Sequence, residues 1–332
     1  MSFYRGKKVL VTGGTGLIGR PLVEQLMEQG ARVRVASLDS PDRCPPNAEF
    51  VKANLVYWNE CQKVVKGMDL VFNVAGIKGA VGLSMARPAS FMVPHLLFNT
   101  HMMEAARQAD VERYLYVSSI AVYPAAEVFR EDDAFQGPPQ SSDHFPAYAK
   151  RVGELQAQAY IKEFGWERIA IVRPANVYGP GDNFDPQTGM VISALIARIV
   201  SGEDPLVVWG DGSSVRDFIY SKDCARGMLL AMEKGANGIP LNLGSGTGYR
   251  IRDVVETLCS IVAKPPRVQW DASRQSGDKV RLMDMTRARS VLGFETRYSL
   301  EQGLRETYEW FVSNAPGGGG RYNVFEQKKY ID

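Results

Sequence analysis

The stretch Lys8-Val9-Leu10-Val11-Thr12-Gly13-Gly14-Thr15-Gly16-Leu17-Ile18-Gly19 decides how this chain folds. A short apolar run ends in glycines, and Leu17 to Gln29 then carries helical periodicity up to Gly30. Strand, glycine turn and helix in that order open a parallel sheet. Gly13, Gly16 and Gly19 form a G-x-x-G-x-x-G pattern inside the turn. The first permits a tight bend, the second lets backbone approach a pyrophosphate, and the third lets helix and strand pack closely. The pattern therefore reads as a dinucleotide cradle, with the pyrophosphate against Gly13 to Ile18.

Working outward, Arg32 to Ser37 reads as a second strand. Further short apolar runs follow at Phe50 to Ala53, Asp69 to Val74, Tyr114 to Ser118 and Arg168 to Arg173. Helical segments fall between them, from about Phe98 to Gln108 and from about Ala147 to Phe164. This alternation predicts an α/β fold with a Rossmann-type doubly wound parallel sheet. After Pro174 the loops Gly179-Pro180-Gly181 and Gly210-Asp211-Gly212 separate shorter elements, which predicts a smaller α/β lobe. The expected division is 1–175 plus 216–243 for the dinucleotide-binding domain and 176–215 plus 244–332 for the substrate lobe. Gly317 to Gly320 reads as a flexible connection to Arg321-Tyr322-Asn323-Val324-Phe325.

Hydrophobic residues make up 45% of the 332 and charged residues 23%, an ordinary globular mixture. A net charge of +2 gives no support for a nucleic-acid or membrane partner, so any anion site must be local. Four scattered cysteines and three histidines show neither a disulfide framework nor zinc-ligand spacing, and no metal is expected. The N-terminus lacks a signal-peptide apolar run, and no segment approaches the roughly 20 apolar residues of a membrane span. A cytoplasmic protein is expected.

The end of the second strand bears on cofactor choice. The acid that commonly binds the adenine ribose falls about 18 residues past the last glycine, near Ser37, with Asp39 two residues on. Asp39 could take ribose hydroxyls, which means NAD. Ser37 and Arg43 could instead take a 2′-phosphate, and Asp39 could simply begin a turn with Ser40-Pro41-Asp42. Without a clear basic pair, the reading favours NAD.

From Asn73-Val74-Ala75-Gly76-Ile77-Lys78 onward the chain resembles the nucleotide-sugar epimerases of the extended short-chain dehydrogenase/reductase family. The likeness continues through Asn99, Ser118-Ser119-Ile120-Ala121-Val122-Tyr123 and Arg173-Pro174-Ala175-Asn176-Val177-Tyr178-Gly179-Pro180. It extends to Trp209-Gly210-Asp211-Gly212, Val215-Arg216-Asp217-Phe218, Arg281 and Asp284. Asn176 to Pro186 and the closing Tyr322-Asn323 are more similar to the GDP-sugar enzymes of the family. The resemblance implies cofactor contacts at Leu17 and Ile18, at Asn54 and Leu55, and at Val74, Ala75, Gly76 and Lys78. It implies further ones at Asn99, Lys150 and Pro174. It also implies that Ser119 hydrogen-bonds the reacting sugar oxygen. The two positions after that serine, acidic in 4,6-dehydratases, are Ile120 and Ala121, which disfavours elimination chemistry.

The family's Tyr-x-x-x-Lys pair is broken. Residues four apart on a helix share a face, so lysine can hold the tyrosine ready to exchange a proton. Here Phe145-Pro146-Ala147-Tyr148-Ala149-Lys150-Arg151-Val152-Gly153-Glu154 puts Pro146 four residues before Lys150. Tyr148 is only two residues away, about 200° around a helix. Ser119, Lys150 and Tyr148 are the catalytic candidates. A tyrosine-lacking branch of GDP-sugar 4-dehydrogenases, including those acting on GDP-manno-heptose, shows a similar motif.

Arg216 and Arg281 match family positions that take the diphosphate, a role suited to the arginine fork. Tyr123, Asn176 and Trp209 complete the substrate candidates, although a tryptophan after Leu206-Val207-Val208 could equally be core. The expected activity is NAD-dependent oxidation of a nucleotide-diphospho-sugar at C4. The alternatives are a 4-epimerase, which re-reduces the same carbon, and a degenerate cofactor-binding regulator. The resemblance also implies a homodimer through the helices at 98–108 and 147–164.

Overall fold

The computed structural model of the chain describes residues 2–140, 144–274 and 278–314, together with Tyr322 and Phe325. The first half runs β1 (Lys8–Thr12), α1 (Gly19–Glu28), β2 (Arg32–Ser37), β3 (Glu49–Lys52), α2 (Trp58–Val65) and β4 (Leu70–Asn73). It continues through α3 (Val81–Ala86), α4 (Pro88–Gln108), β5 (Arg113–Val117), β6 (Val128–Phe129), α5 (His144–Phe164) and β7 (Ile169–Pro174). Next come β8 (Asn176–Tyr178), α6 (Val191–Val200), β9 (Leu206–Trp209), β10 (Val215–Tyr220), α7 (Ser221–Lys234) and β11 (Pro240–Leu243). The chain then forms β12 (Gly248–Arg250), α8 (Ile251–Ile261), β13 (Val268–Asp271), β14 (Val280–Met283), α9 (Thr286–Leu292) and α10 (Leu300–Asn314).

Seven parallel strands in the order β11-β7-β5-β4-β1-β2-β3 make the main sheet. Its central strands β1, β4, β5 and β7 are mostly buried and apolar because both faces are covered, whereas β3 at the edge, Glu49–Lys52, is partly exposed. Val9 and Val11 of β1 pack with Leu22 and Leu26 of α1 and Met228 of α7, whereas Leu10 faces Val64 of α2 and Met102 of α4. A smaller sheet, β12-β10-β14-β6 with β8 against β10, and a β13–β9 pair enclose a third core around Leu195, Phe218 and Leu258.

The strands fall within about a residue or two of their expected limits, but some elements depart. β10 pairs in register with β8, β12 and β14 and so belongs to the smaller sheet, while α7 and β11 rejoin the larger one. β6, which precedes residue 175, pairs with β14. Helix α4 begins at Pro88, ten residues before the expected start, and contains Pro94. An internal proline usually ends a helix because it lacks an N–H. Here burial of Phe91, Pro94 and Phe98 offsets that loss. Helix α5 begins at His144, so Pro146 lies in its first turn, where no intrahelical N–H bond is forfeited. The Gly317–Gly320 connection lies outside the described residues.

One buried ion pair ties the larger sheet to its covering helix. Arg173, on β7, donates to Glu154 of α5 through Nε at 2.9 Å and Nη2 at 2.6 Å, and both side chains are sealed from solvent. Ser118 Oγ donates to the same carboxylate at 2.5 Å, and Arg173 Nη1 reaches the Tyr123 hydroxyl and the Glu131 carbonyl. Glu154→Ala leaves the arginine charge buried without its counter-ion. It should cost about 3–5 kcal/mol in urea unfolding; a loss below about 1 kcal/mol would mean that the site takes up solvent.

Candidate active site

The ends of β1, β2, β4, β5 and β7 open onto one cleft of about 1000 Å³ at the carboxyl edge of the sheet. Ligands of open parallel sheets sit at this edge. Gly13 adopts φ +66°, and a Cβ there would stand 2.9 Å from Ala75 Cα. A Cβ on Gly19 would run into the Gly13 carbonyl, so the helix can begin this close to the turn only with glycine. Gly16 lines the cleft, and a Cβ there would meet only Gly13 O, at 3.4 Å. Helix α1 has no side-chain N-cap and no acid in its first turn, so nothing negative opposes an anion at its start, although Arg20 N already donates to Gly16 O and Pro21 carries no N–H. These features fit a dinucleotide pyrophosphate.

At the end of β2, Thr15 Oγ1 donates to Asp39 Oδ2 at 2.7 Å and lies 2.8 Å from Ser37 Oγ. Arg43, the rival phosphate ligand, is ion-paired to Asp39 at 3.7 Å. Leu17, Ile18, Asn54 and Leu55 line the same end of the cleft. Val74, Ala75, Gly76, Lys78 and Pro174 line it further along. Lys78 is not free to reach inward, however. Its Nζ donates to Val177 O at 3.1 Å and to Asp182, whose carboxylate is almost fully buried. Moving Lys78 would strand that charge. Asn99 lies behind the wall and not in it. Its Oδ1 accepts from Asn73, and its buried Nδ2 has no partner.

The middle of the cleft is built by β5 and α5. Ser119 lines it, its Oγ accepting from Ala121 N at 3.1 Å. Pro146 and Lys150, one helical turn apart, also line it, whereas Tyr148 does not. The Tyr148 ring packs edge-on against His144 at 4.9 Å, with the Arg151 guanidinium 5.6 Å from its centre. Tyr148 is therefore removed from the catalytic candidates: its place on the helix turns it from the cleft. Lys150 Nζ donates to Val117 O at 2.7 Å, and burial lowers its pKa to about 8, with Glu154 acting in the opposite sense.

Toward the smaller sheet, Asn176 and Arg281 line the cleft, and Asn176 Nδ2 donates to Asp217 O. Arg216 and Arg281 are register partners on β10 and β14. Burial, then the Arg281 charge, disfavours the cationic form of Arg216, a cost that an anion would relieve. Two substrate candidates lie elsewhere. Tyr123 is fully buried, stacked on Phe129 and donating to Asn242 Oδ1 at 2.6 Å, so it is a core residue. Trp209 is 58% exposed with Arg274 over its ring, forming neither core nor cleft wall.

Sequence reasoning missed His95. It lies on the first half of α4, which the early proline hid, and it lines the cleft. Burial first, then the Lys150 charge, lower its pKa to about 3, so it is neutral. Its Nδ1 bonds Phe91 O at 2.7 Å, and Nε2 accepts from Ile77 N at 3.4 Å, steadying the loop after β4. Tyr322 and Phe325 also line the cleft.

The sequence pattern of the NAD dependent epimerase/dehydratase family matches residues 9–244. The chain belongs to this family. It is 30% identical to dTDP-4-dehydro-6-deoxy-D-allose reductase of Streptomyces bikiniensis, over 93% of this chain and 97% of the relative. It is 29% identical to GDP-L-fucose synthase 1 of Arabidopsis thaliana, over 93% and 94% respectively. Among solved structures, UDP-glucose 4-epimerase of Thermotoga maritima with UDP-glucose superposes with a TM-score of 0.80 at 28% identity, covering 92% of this chain and 99% of that one. The chain is an NAD(P)-dependent enzyme of the nucleotide-sugar epimerase and reductase kind. No helix among the described residues is long and apolar enough to cross a membrane.

Lys150 carries its charge below about pH 8 and loses it above. If its ammonium binds the cofactor, dinucleotide affinity should fall severalfold as pH rises through that value. Calorimetry between about pH 6.5 and 9.5 should show this in the parent chain and a flat profile in Lys150→Met; parallel profiles would remove the ammonium from the cofactor site.

Proposed function

We propose that this enzyme oxidises a nucleotide-diphospho-sugar at C4 with NAD, the sugar being carried on GDP, as in GDP-manno-heptose. The observation that carries this reading is the pair on α5: Pro146 and Lys150 line the cleft with Ser119, and Tyr148 does not. An epimerase must remove a proton from the C4 hydroxyl and later return it, a task for which a phenol is suited. Net oxidation only removes the proton, and solvent can carry it away. Preference for GDP is supported by the similarity to GDP-L-fucose synthase. Preference for NAD is supported by the Asp39 carboxylate in the cleft, which would repel a 2′-phosphate, and by its pairing with Arg43.

A bound nicotinamide supplies the hydride acceptor. Gly13 to Gly19 would hold its pyrophosphate, and Asp39 would hold the adenine ribose. Ser119 would orient the sugar hydroxyl. Lys150, with one donor fixed on Val117 O, would turn its remaining donors to the nicotinamide ribose. Arg281, flanked by Arg216, would take the diphosphate, with Asn176 beside the sugar. On this reading the larger sheet is the cofactor lobe and the smaller sheet the substrate lobe. Exposed Val93 on α4 and Val152, Leu155 and Phe164 on α5 support a homodimer through these helices.

The test is incubation with NAD and a panel of GDP-, UDP- and dTDP-sugars, reading the reduced-nicotinamide absorbance and product mass. A GDP-sugar product lighter by a hydrogen molecule, formed with reduced cofactor, is expected. Unchanged mass with inverted configuration would make the enzyme a 4-epimerase. NAD binding without turnover of any sugar would leave a regulatory protein. Tyr148→Phe should keep most of the turnover; a loss of about 10³-fold with intact cofactor binding would return Tyr148 to the chemistry.

A further inference from the structure

Two segments without helix or strand of their own, residues 74–80 and 179–190, both line the cleft. The first follows β4 of the larger sheet, and the second follows β8 of the smaller one. Lys78 Nζ reaches across to both Asp182 carboxylate oxygens, at 3.1 and 3.2 Å, and to Val177 O at 3.1 Å. Two residues on, Ala80 N donates to Thr188 O at 2.9 Å. The contact is therefore double, an ion pair at one end and a backbone bond at the other.

The second segment is the firmer partner. Asn183 Nδ2 donates to Thr188 Oγ1 at 3.0 Å, and Asp185 Oδ1 accepts from Gln187 N and Thr188 N, which closes the loop on itself. Phe184 stacks on Phe311, centroids 4.3 Å apart, and fastens the loop to α10. The first segment hangs on Thr12 Oγ1 through Ala75 N and on His95 through Ile77 N; past Ile77 it is held by Lys78 and Ala80. Asp182 is the buried member of the pair, 2% exposed against 38% for Lys78, so the carboxylate depends on its counter-ion.

We propose that Lys78 and Asp182 are a positioning pair through which the smaller sheet sets the loop lining the cofactor end of the cleft. Lys78 then serves the cofactor through Asp182 and not by touching it. The inference rests on the reading of the cleft as a site for a dinucleotide and a nucleotide-sugar. With the pair intact the loop stands in place before either ligand arrives, and neither ligand needs the other. Without the pair only a fraction of molecules holds the loop in place, and the apparent dinucleotide affinity falls by that fraction. A nucleotide at the smaller-sheet end steadies the second segment, and the Ala80–Thr188 bond passes that order back to the first.

The experiment is calorimetry of the full chain with NAD and GDP, each alone and in the presence of the other. Asp182→Asn keeps the shape of the side chain and leaves Lys78 in place. It should weaken NAD about fivefold, and saturating GDP should return most of that loss. In the parent each ligand should change the dissociation constant of the other by less than about twofold. Lys78→Met, a second variant, should behave as Asp182→Asn does. An Asp182→Asn affinity for NAD equal to the parent's or tighter overturns the proposal, because this change releases a lysine that contacts cofactor directly. A loss that GDP leaves untouched also overturns it, since damage confined to one site shows no recovery from the other. A parent chain that binds no dinucleotide, or neither GDP nor UDP, overturns the reading of the cleft itself, an outcome distinct from unchanged affinities in a chain that binds.

Discussion

The pairing of Arg173 with Glu154 is the constraint on which the cleft depends. Two buried charges persist only because each satisfies the other and the remaining donors are used. The pair fixes α5 against β7 in rotation as well as position. Residues 146, 150 and 154 form one stripe along the helix, so once Glu154 points into the core, Lys150 and Pro146 must face the cleft edge above it. Ser118, bonded to the same carboxylate, fixes the end of β5 and thereby places Ser119. One ion pair thus sets both the serine and the lysine.

The network continues to the smaller sheet. Tyr123 bonds Arg173 and Asn242, and Asn242 Nδ2 donates to Phe129 O on β6 and to Asp284 O just after β14. Asn242 N in turn donates to the Glu131 carboxylate, whose pKa burial raises. Polar groups at the junction of the sheets therefore have defined partners, which holds the two cleft walls in one relative position. Tyr123 belongs to this machinery. Its place in a family motif reflects that structural task, and for this reason motif membership misdirected the substrate assignment.

What the sequence made legible was local. The glycine turn was readable because its demand is on backbone shape, a positive φ at Gly13 and no Cβ at Gly19. The missing phenol was readable because the family resemblance picks out Lys150 and helical spacing then puts Pro146, and not Tyr148, over it. Other features depend on facing or on distant contacts. Whether Trp209 points inward depends on which side of the β9–β13 pair it occupies. Lys78 finds Asp182 across the cleft, and Asp39 meets Tyr322 from the far end of the chain. No periodicity encodes such pairings. His95 was hidden by Pro94, since a proline inside a helical pattern argues against the helix that presents the histidine.

The two ends of the cleft carry features that favour anions. At one end helix α1 starts without a side-chain cap or a first-turn acid, and at the other Arg216 sits beside the like charge of Arg281. Burial and the neighbouring Arg281 charge both disfavour the cationic form of Arg216, a cost that a nearby anion reduces. On the proposed reading a cofactor pyrophosphate would sit at the first end and the sugar's diphosphate at the second. Binding energy at the two ends is therefore available to hold a sugar against the middle of the cleft. There the protein itself offers Ser119, Lys150 and a proline in place of the usual phenol. On the proposed reading such an arrangement relies on positioning more than on a dedicated proton carrier, as net oxidation, which gives up the hydroxyl proton once and does not return it, allows.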